Sequence, residues 1–188
     1  MIDCIRSRLL SVEESADQFA QGREAAVLMP FRENGDGGWT LTFTKRRDDL
    51  PSHAGQISFP GGSVDPDDQD VVAAALREAW EEVAIPQDSV EVIGALEPMS
   101  TFVSDFAVWP IAGVVPREVE LKANPSEVDT VFEVDLKTLV EVREKRELRR
   151  AGMTFTTEAY ETDGGLIWGV TGYILGRLID RIEGCVAT

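Results

Sequence analysis

The chain is poor in cysteine and histidine. Two cysteines, Cys4 and Cys185, and a single histidine, His53, stand among 188 residues. This small number of cysteines and histidines excludes a disulfide framework, and it excludes a zinc cluster built from cysteine and histidine ligands. We therefore expect a reduced, cytosolic setting. A Ser-His-Asp triad would depend on His53 alone.

The chain also lacks basic charge and long apolar runs. It has 18 Lys and Arg against 34 Asp and Glu, a formal net charge of −16. This balance argues against nucleic acid and against an anionic membrane surface as partners. No apolar run approaches the ~18 residues of a membrane span, and the charged first residues predict that there is no signal peptide. A phosphate-bearing substrate would need a metal ion to bridge it to so acidic a protein.

Composition and apolar periodicity predict one globular α/β domain. Hydrophobic residues make up 43% of the chain and charged residues 28%, which is typical of a folded domain. The pattern predicts an N-terminal helix within residues 1–23 and a main domain over 24–188. Further helices are expected at 71–83, 136–142 and 166–182, and strands at 25–31, 39–44, 56–59, 90–96, 106–115, 131–134 and 153–160. We expect a mixed sheet with helices on both faces.

The helix predicted at 71–83 carries clustered carboxylates. At about 100° per residue, Glu78 and Glu82 share one face and Glu81 flanks them. Arg77 can reach Glu81 at i+4 and relieve part of their repulsion. A separate stripe is expected to face the core: Val72, Leu76, Ala79 and Val83. Taken alone, such a run of carboxylates is more typical of a solvated helix surface than of a metal site.

A glycine turn precedes this helix. The predicted strand at 56–59 is followed by Pro60-Gly61-Gly62. Glycine permits a positive φ and a close approach of the backbone to a ligand. The alternative is that the two glycines form only a tight turn and contact no ligand. A glycine turn followed by clustered glutamates predicts a cup for a hard cation, because Mg²⁺ usually takes one or two carboxylates plus substrate phosphates.

These residues resemble the motif of the Nudix hydrolases, the Nudix box Gly-x5-Glu-x7-Arg-Glu-U-x-Glu-Glu-x-Gly-U, where U is aliphatic. Gly62 takes the first position and residues 77–85 take the last nine. The distance from Gly62 to Arg77 is one residue longer than in the box. The loop glutamate is replaced by Asp68 or Gln69, and the late glycine by Ala84. The resemblance implies an α/β/α sandwich around a mixed sheet.

A second stretch, residues 44–62, resembles the coenzyme A pyrophosphatase branch of that family. The resemblance lies in two segments of this stretch. The first is Thr44-Lys45-Arg46, and the second is His53-Ala54-Gly55-Gln56 with the residues that follow it up to Gly62. Arg47 stands where a small residue is usual, and Pro51 where the branch often has arginine. The resemblance implies cleavage of coenzyme A or its derivatives to adenosine 3′,5′-bisphosphate and (acyl-)4′-phosphopantetheine. Two alternatives stay open: hydrolysis of ADP-ribose, dinucleotides or nucleoside triphosphates, and a nucleotide sensor without catalysis.

The resemblance also implies the site residues. Mg²⁺ or Mn²⁺ would be held by Glu78, Glu81 and Glu82. Arg77 would orient a glutamate, and the general base is left open among the glutamates. Substrate contacts are expected from Arg46, Arg47, His53, Gln56, Gly61 and Gly62. The implied partner is a small-molecule nucleotide diphosphate, and a homodimer is left open.

Three of these assignments have competing interpretations. His53 fits a structural hydrogen bond as well as a substrate contact. Glu127 is a candidate for an additional metal ligand or base, and a capping role is the alternative. Phe102 and Phe106 lie near a predicted loop where an aromatic ring would stack on adenine, but burial in the core is the plainer expectation.

Overall fold

A computed structural model describes residues 1–18, 20–49, 54–101, 105–150 and 152–186. Two candidates lie outside the described residues: His53, for which a substrate contact is predicted, and Phe102, for which core burial is the plainer expectation. The side chains of residues 150 and 153 are likewise not described.

The described residues form five α-helices and eleven strands. The helices are α1 (Ile2–Arg6), α2 (Val12–Ala16), α3 (Val71–Val83), α4 (Leu136–Glu141) and α5 (Gly169–Val186), with a 3₁₀ turn at Gln87–Ser89. The first seven strands are β1 (Arg23–Glu33), β2 (Trp39–Arg46), β3 (Ile57–Ser58), β4 (Gly61–Ser63), β5 (Glu91–Ala95), β6 (Met99–Ser100) and β7 (Phe106–Val114). The last four are β8 (Val128–Asp135), β9 (Arg143–Arg150), β10 (Met153–Thr162) and β11 (Gly165–Ile167).

Strand β1 is the centre of a mixed eight-stranded sheet. It pairs antiparallel with β2 and β4 and parallel with β7. Strands β3 and β8 pair with β2, and β5 and β6 pair with β7. The apolar run inside β1 suits this place, because a central strand covered on both faces needs no polar alternation.

Helices cover both faces of the sheet. On one face, Met29 and Phe31 of β1 belong to a core that includes α5, α1 and α4. On the other face, Ala26 and Leu28 pack in a second core with the small residues of α3. The predicted mixed sheet between two helical layers is therefore confirmed.

The predicted N-terminal helix is divided into α1 and α2. Helix α1 ends at Arg6 with Ser7 as its C-cap, and Ser11 caps the start of α2 with a capping box. The Ser11 hydroxyl accepts a hydrogen bond from the Glu14 N–H, and the Glu14 carboxylate accepts one from the Ser11 N–H. Such a box starts a helix locally and separates it from the preceding turn. The domain boundary at residue 24 stays a prediction.

The three-stranded sheet of β9, β10 and β11 is the part of the fold that the sequence indicated least. Strand β9 pairs with β10 from Arg143↔Tyr160 to Arg150↔Met153. The described side chains of β9 are exposed or only partly buried, so neither face of the strand needs to be apolar. Its sequence, REKRELRR, therefore has no apolar alternation. Residues 165–167 pair with β10, so α5 begins at Gly169, later than the predicted start at 166.

The ends of the described chain meet. Cys4 of α1 and Cys185 of α5 form a disulfide across a sequence separation of 181 residues. The prediction of reduced cysteines is wrong, because packing of α1 against α5 brings two segments together that the sequence keeps far apart. No helix in the described part of the chain is long and apolar enough to cross a membrane.

Candidate active site

Helix α3 has the bounds that the sequence predicts, and both ends have local causes. The Asp70 side chain caps the start by accepting a hydrogen bond from the Ala73 N–H at 2.8 Å. Ala84 ends the helix in the left-handed conformation, with φ of 59°. Glycine is favoured in that conformation, and Ala84 adopts it where the Nudix box has glycine.

The predicted stripe of α3 faces the core: Ala79 and Val83 are fully buried, and Val72 and Leu76 are partly buried against the same core. The buried face is wider than predicted, because Ala74 and Ala75 are also fully buried. Glu82 is also buried, with 3% of its surface exposed. Its predicted position away from the core is therefore wrong, because β4 packs against this side of the helix.

Two glycines allow β4 to lie so close to its neighbours. A Cβ on Gly61 would stand 2.4 Å from the Ala26 carbonyl oxygen, and a Cβ on Gly62 would stand 2.5 Å from Glu78 Oε1. Both distances are shorter than any van der Waals contact. The predicted turn at these glycines is wrong, because both lie in β4 and pair with β1. They serve by close approach, and neither is among the positive-φ residues.

Glu82 is held between β4 and β2. The Gly61 N–H donates to its Oε2 at 3.3 Å, and Arg46 Nη1 lies 3.6 Å from its Oε1. Burial raises the pKa of Glu82 to about 8; the Gly61 N–H and Arg46 oppose the shift, and the nearby Glu78 adds to it. The positive charge and the N–H group near Glu82 thus offset only part of the cost of burying its ionised carboxylate.

Glu78 and Glu81 lie on the more open side of the helix. The Glu78 carboxylate lies against Gly62, and burial raises its pKa while Arg77 opposes the shift. The Glu81 side chain is 51% exposed. The three glutamates therefore have unequal environments although they lie within five consecutive residues.

Arg77 connects the helix to the preceding loop. Its Nε and Nη2 donate to the two oxygens of Asp68, each at 3.0 Å, and Nη2 also donates to the Ser63 carbonyl. Its Nη1 donates to Glu78 Oε1 at 2.9 Å and to Glu81 Oε2 at 3.3 Å. The predicted i+4 contact is present, and Asp68 rather than Gln69 meets the arginine.

The predicted phosphate-binding residues divide into two groups. Arg46 reaches the carboxylates, and its buried Nε has no hydrogen-bond partner among the described residues. Arg47 does not reach them: it donates to both oxygens of Asp49 and to the Pro125 carbonyl. The Gln56 carbonyl accepts from the Arg46 N–H at 2.9 Å.

The loop before β8 brings a further carboxylate to the site. The Asn124 N–H donates to the Glu82 carbonyl at 2.9 Å, and the Glu127 carbonyl accepts from the Arg47 N–H at 3.1 Å. The negative charge of Glu127 contributes to the raised pKa values of both Glu78 and Glu82. Sequence reasoning named Glu127 as a candidate but missed the pairing of Arg46 with Glu82, which no local pattern reveals.

The donor set fits a hard divalent cation. As they stand, no three Asp, Glu, His or Cys side chains in the described ranges are grouped closely enough to hold a metal ion. Buried carboxylates with raised pKa values are nonetheless what a divalent cation would stabilise, and oxygen ligands are what Mg²⁺ prefers.

Solved structures share this fold. A NUDIX hydrolase from Alicyclobacillus acidocaldarius matches with a TM-score of 0.57 at 16% identity, over 90% of this chain and 97% of that one. An Ap4A hydrolase from C. elegans matches with a TM-score of 0.52 at 20% identity, over 63% of this chain and 84% of that one. At these identities the likeness shows the fold alone.

The family is shown by sequence. The model of the NUDIX domain matches residues 22–156. A protein of Yersinia pestis (strain Pestoides F), named "Uncharacterized Nudix hydrolase NudL", is 39% identical over 166 residues, which cover 87% of this chain and 82% of that protein. The chain therefore belongs to the Nudix family and is a Nudix hydrolase.

Proposed function

We propose that this hydrolase cleaves the diphosphate of coenzyme A or its derivatives. The products are adenosine 3′,5′-bisphosphate and 4′-phosphopantetheine or its acyl form. The resemblance of residues 44–62 to the coenzyme A pyrophosphatase branch supports this substrate class. The observation that carries the proposal is the position of Arg46, which comes from that stretch and lies 3.6 Å from the buried carboxylate of Glu82.

The proposed chemistry assigns Mg²⁺ or Mn²⁺ to the carboxylates of α3, with Glu78, Glu81 and Glu82 as ligands. Such a cation would neutralise the diphosphate and orient the attacking water. Arg77 holds Glu78 and Glu81 side by side. The charge of Glu127 extends the acidic site beyond the helix, which keeps it a candidate for ligand or base.

Arg46 is the better candidate for a contact with the 3′-phosphate of coenzyme A. A protein of net charge −16 gains little from an added phosphate unless a local basic group meets it. Arg47 has its donors engaged by Asp49 and Pro125. Within the part of the chain that the structure describes, the buried Nε of Arg46 has no hydrogen-bond partner, and a quarter of the Arg46 side chain is exposed.

A product assay by mass spectrometry tests the proposal. Coenzyme A, 3′-dephospho-coenzyme A, ADP-ribose and a diadenosine polyphosphate are supplied in parallel with Mg²⁺ and with Mn²⁺. We expect kcat/KM for coenzyme A to exceed that for the dephospho form by at least about tenfold, as one charge-assisted contact provides. Arg46→Ala narrows that ratio, whereas the matched control Arg47→Ala leaves it unchanged. Faster turnover of ADP-ribose or of the dinucleotide would contradict the substrate assignment.

A further inference from the structure

The contact between Asp68 and Arg77 is the most complete ion pair of the site. Two parallel N–H···O bonds, each of 3.0 Å, join the guanidinium edge to the carboxylate. The Asp68 side chain is almost fully buried. Bidentate pairs of this kind fix the plane of the arginine as well as its position.

The loop fixes Asp68 in turn. The Asp68 N–H donates to the Asp65 carbonyl at 3.0 Å, and the Asp65 N–H donates to Asp68 Oδ2 at 2.8 Å. These two hydrogen bonds close the turn from Asp65 to Asp68, and the turn holds the Asp68 carboxylate against Arg77. The remaining nitrogen of Arg77, Nη1, is directed to Glu78 and Glu81.

The length of the loop differs from the Nudix box at the same place. Asp68 follows Gly62 by six residues, as the box glutamate does, but precedes Arg77 by nine residues instead of eight. The extra residue therefore lies between Asp68 and the start of α3, where Gln69 is exposed. Aspartate is shorter than glutamate by one methylene, about 1.5 Å.

We propose that Asp68 is the positioning residue of this site and that its short side chain and the extra loop residue compensate for each other. Asp68 acts through Arg77, which it holds so that Nη1 keeps Glu78 and Glu81 in place. The proposal rests on the metal-ligand roles given to these glutamates above. It is independent of which nucleotide diphosphate is the substrate.

A mutant cycle tests the compensation. The variants are Asp68→Glu, deletion of Gln69, and both changes together, which restore the box spacing. Each single change is expected to lower kcat by at least about tenfold with little change in KM, because the charged contact is misplaced. The combined variant recovers kcat to within about threefold of the starting protein, since the two changes are coupled.

Asp68→Asn and Asp67→Asn form the matched pair of charge changes. Asp67 is exposed in the same loop, so its variant should keep kcat, whereas Asp68→Asn should lose it. All variants are assayed on whichever substrate the unmodified protein turns over best, so a wrong substrate assignment does not affect the comparison. Circular dichroism and melting temperature establish that each variant is folded.

Two results overturn the proposal. One is Asp68→Asn with kcat close to that of Asp67→Asn. The other is a combined variant that is folded but no more active than either single change. If Asp68→Asn does not fold, the cycle of Asp68→Glu and the Gln69 deletion decides the question on its own, because charge is retained in all its members.

Discussion

The carboxylate of Glu82 lies buried between α3 and β4, where the Gly61 N–H and Arg46 face its two oxygens. The raised pKa follows from this burial, which the two contacts offset only in part. Glu82 is thus the most buried of the three glutamates to which the proposed chemistry gives the role of metal ligand.

Replacing Glu82 by glutamine tests its role in turnover. The change keeps the shape of the side chain and removes its charge, so the fold should persist. Loss of a metal ligand should lower kcat on the order of 10³-fold. The matched control is Glu183→Gln, which removes a charge from an exposed position on α5. A Glu82→Gln rate above about a tenth of the starting rate at saturating metal would show that Glu82 is not a ligand.

The same variant tests the effect of Glu82 on stability. The ordinary carboxyl pKa of 4.5 is raised to about 8 in the folded protein. The folded state therefore holds more protons than the unfolded state in this range, and Glu82 makes the metal-free protein less stable as the pH rises from about 5 to 8. The Glu82→Gln variant does not show this loss of stability with rising pH, because glutamine does not ionise.

Thermal unfolding in chelator measures this pH dependence. The melting temperature of Glu82→Gln should exceed that of the unmodified protein by an amount that grows between pH 5 and pH 8. A difference that stays constant over this range would mean that the pKa of Glu82 is close to its ordinary value.

Among the contacts between secondary-structure elements, the packing of β4 against α3 is the one that positions the site. Gly62→Ala introduces a Cβ that would stand 2.5 Å from Glu78 Oε1. The Glu78 side chain must move, so kcat should fall by at least about tenfold, as expected for a misplaced catalytic group. The melting temperature should change by only a few degrees.

Gly184→Ala is the control for this change, because a Cβ there meets nothing within 4 Å. It lies within α5, so alanine should raise stability by about 0.5–1 kcal/mol and leave the activity unchanged. Equal activities of Gly62→Ala and Gly184→Ala would mean that the close approach of β4 does not position Glu78.

Prediction from sequence succeeded where the signal is local. The bounds of α3, Val71–Val83, are those that the apolar periodicity predicts. The burial of Glu82 could not be predicted, because it depends on a strand that crosses one side of the helix. Strand β9 was missed since its two faces carry charged residues alike.

The disulfide acts at the scale of the whole molecule. It joins α1 to α5 and closes a loop that spans a sequence separation of 181 residues. Such a link stabilises the fold mainly by restricting the unfolded chain, typically by about 2–4 kcal/mol. Local pattern could not reveal it, because only the packed fold brings the two helices together.

Reduction of this disulfide should lower the melting temperature by several degrees and leave kcat at 25 °C unchanged. Differential scanning calorimetry with and without dithiothreitol measures the effect, and the variant with Cys4→Ser and Cys185→Ser is the control that should not respond to the reductant. Equal melting temperatures of the oxidised and reduced protein would mean that the link contributes nothing to stability.

In the proposed mechanism, the acidic site on α3 uses a divalent cation to cleave the diphosphate of coenzyme A. The most direct test is the initial rate of adenosine 3′,5′-bisphosphate release from coenzyme A, measured after exhaustive chelation and during titration with Mg²⁺ or Mn²⁺. We predict that chelation abolishes release and that either ion restores it with a saturable dependence. Release that survives chelation, or absence of this product at every metal concentration, would contradict the account.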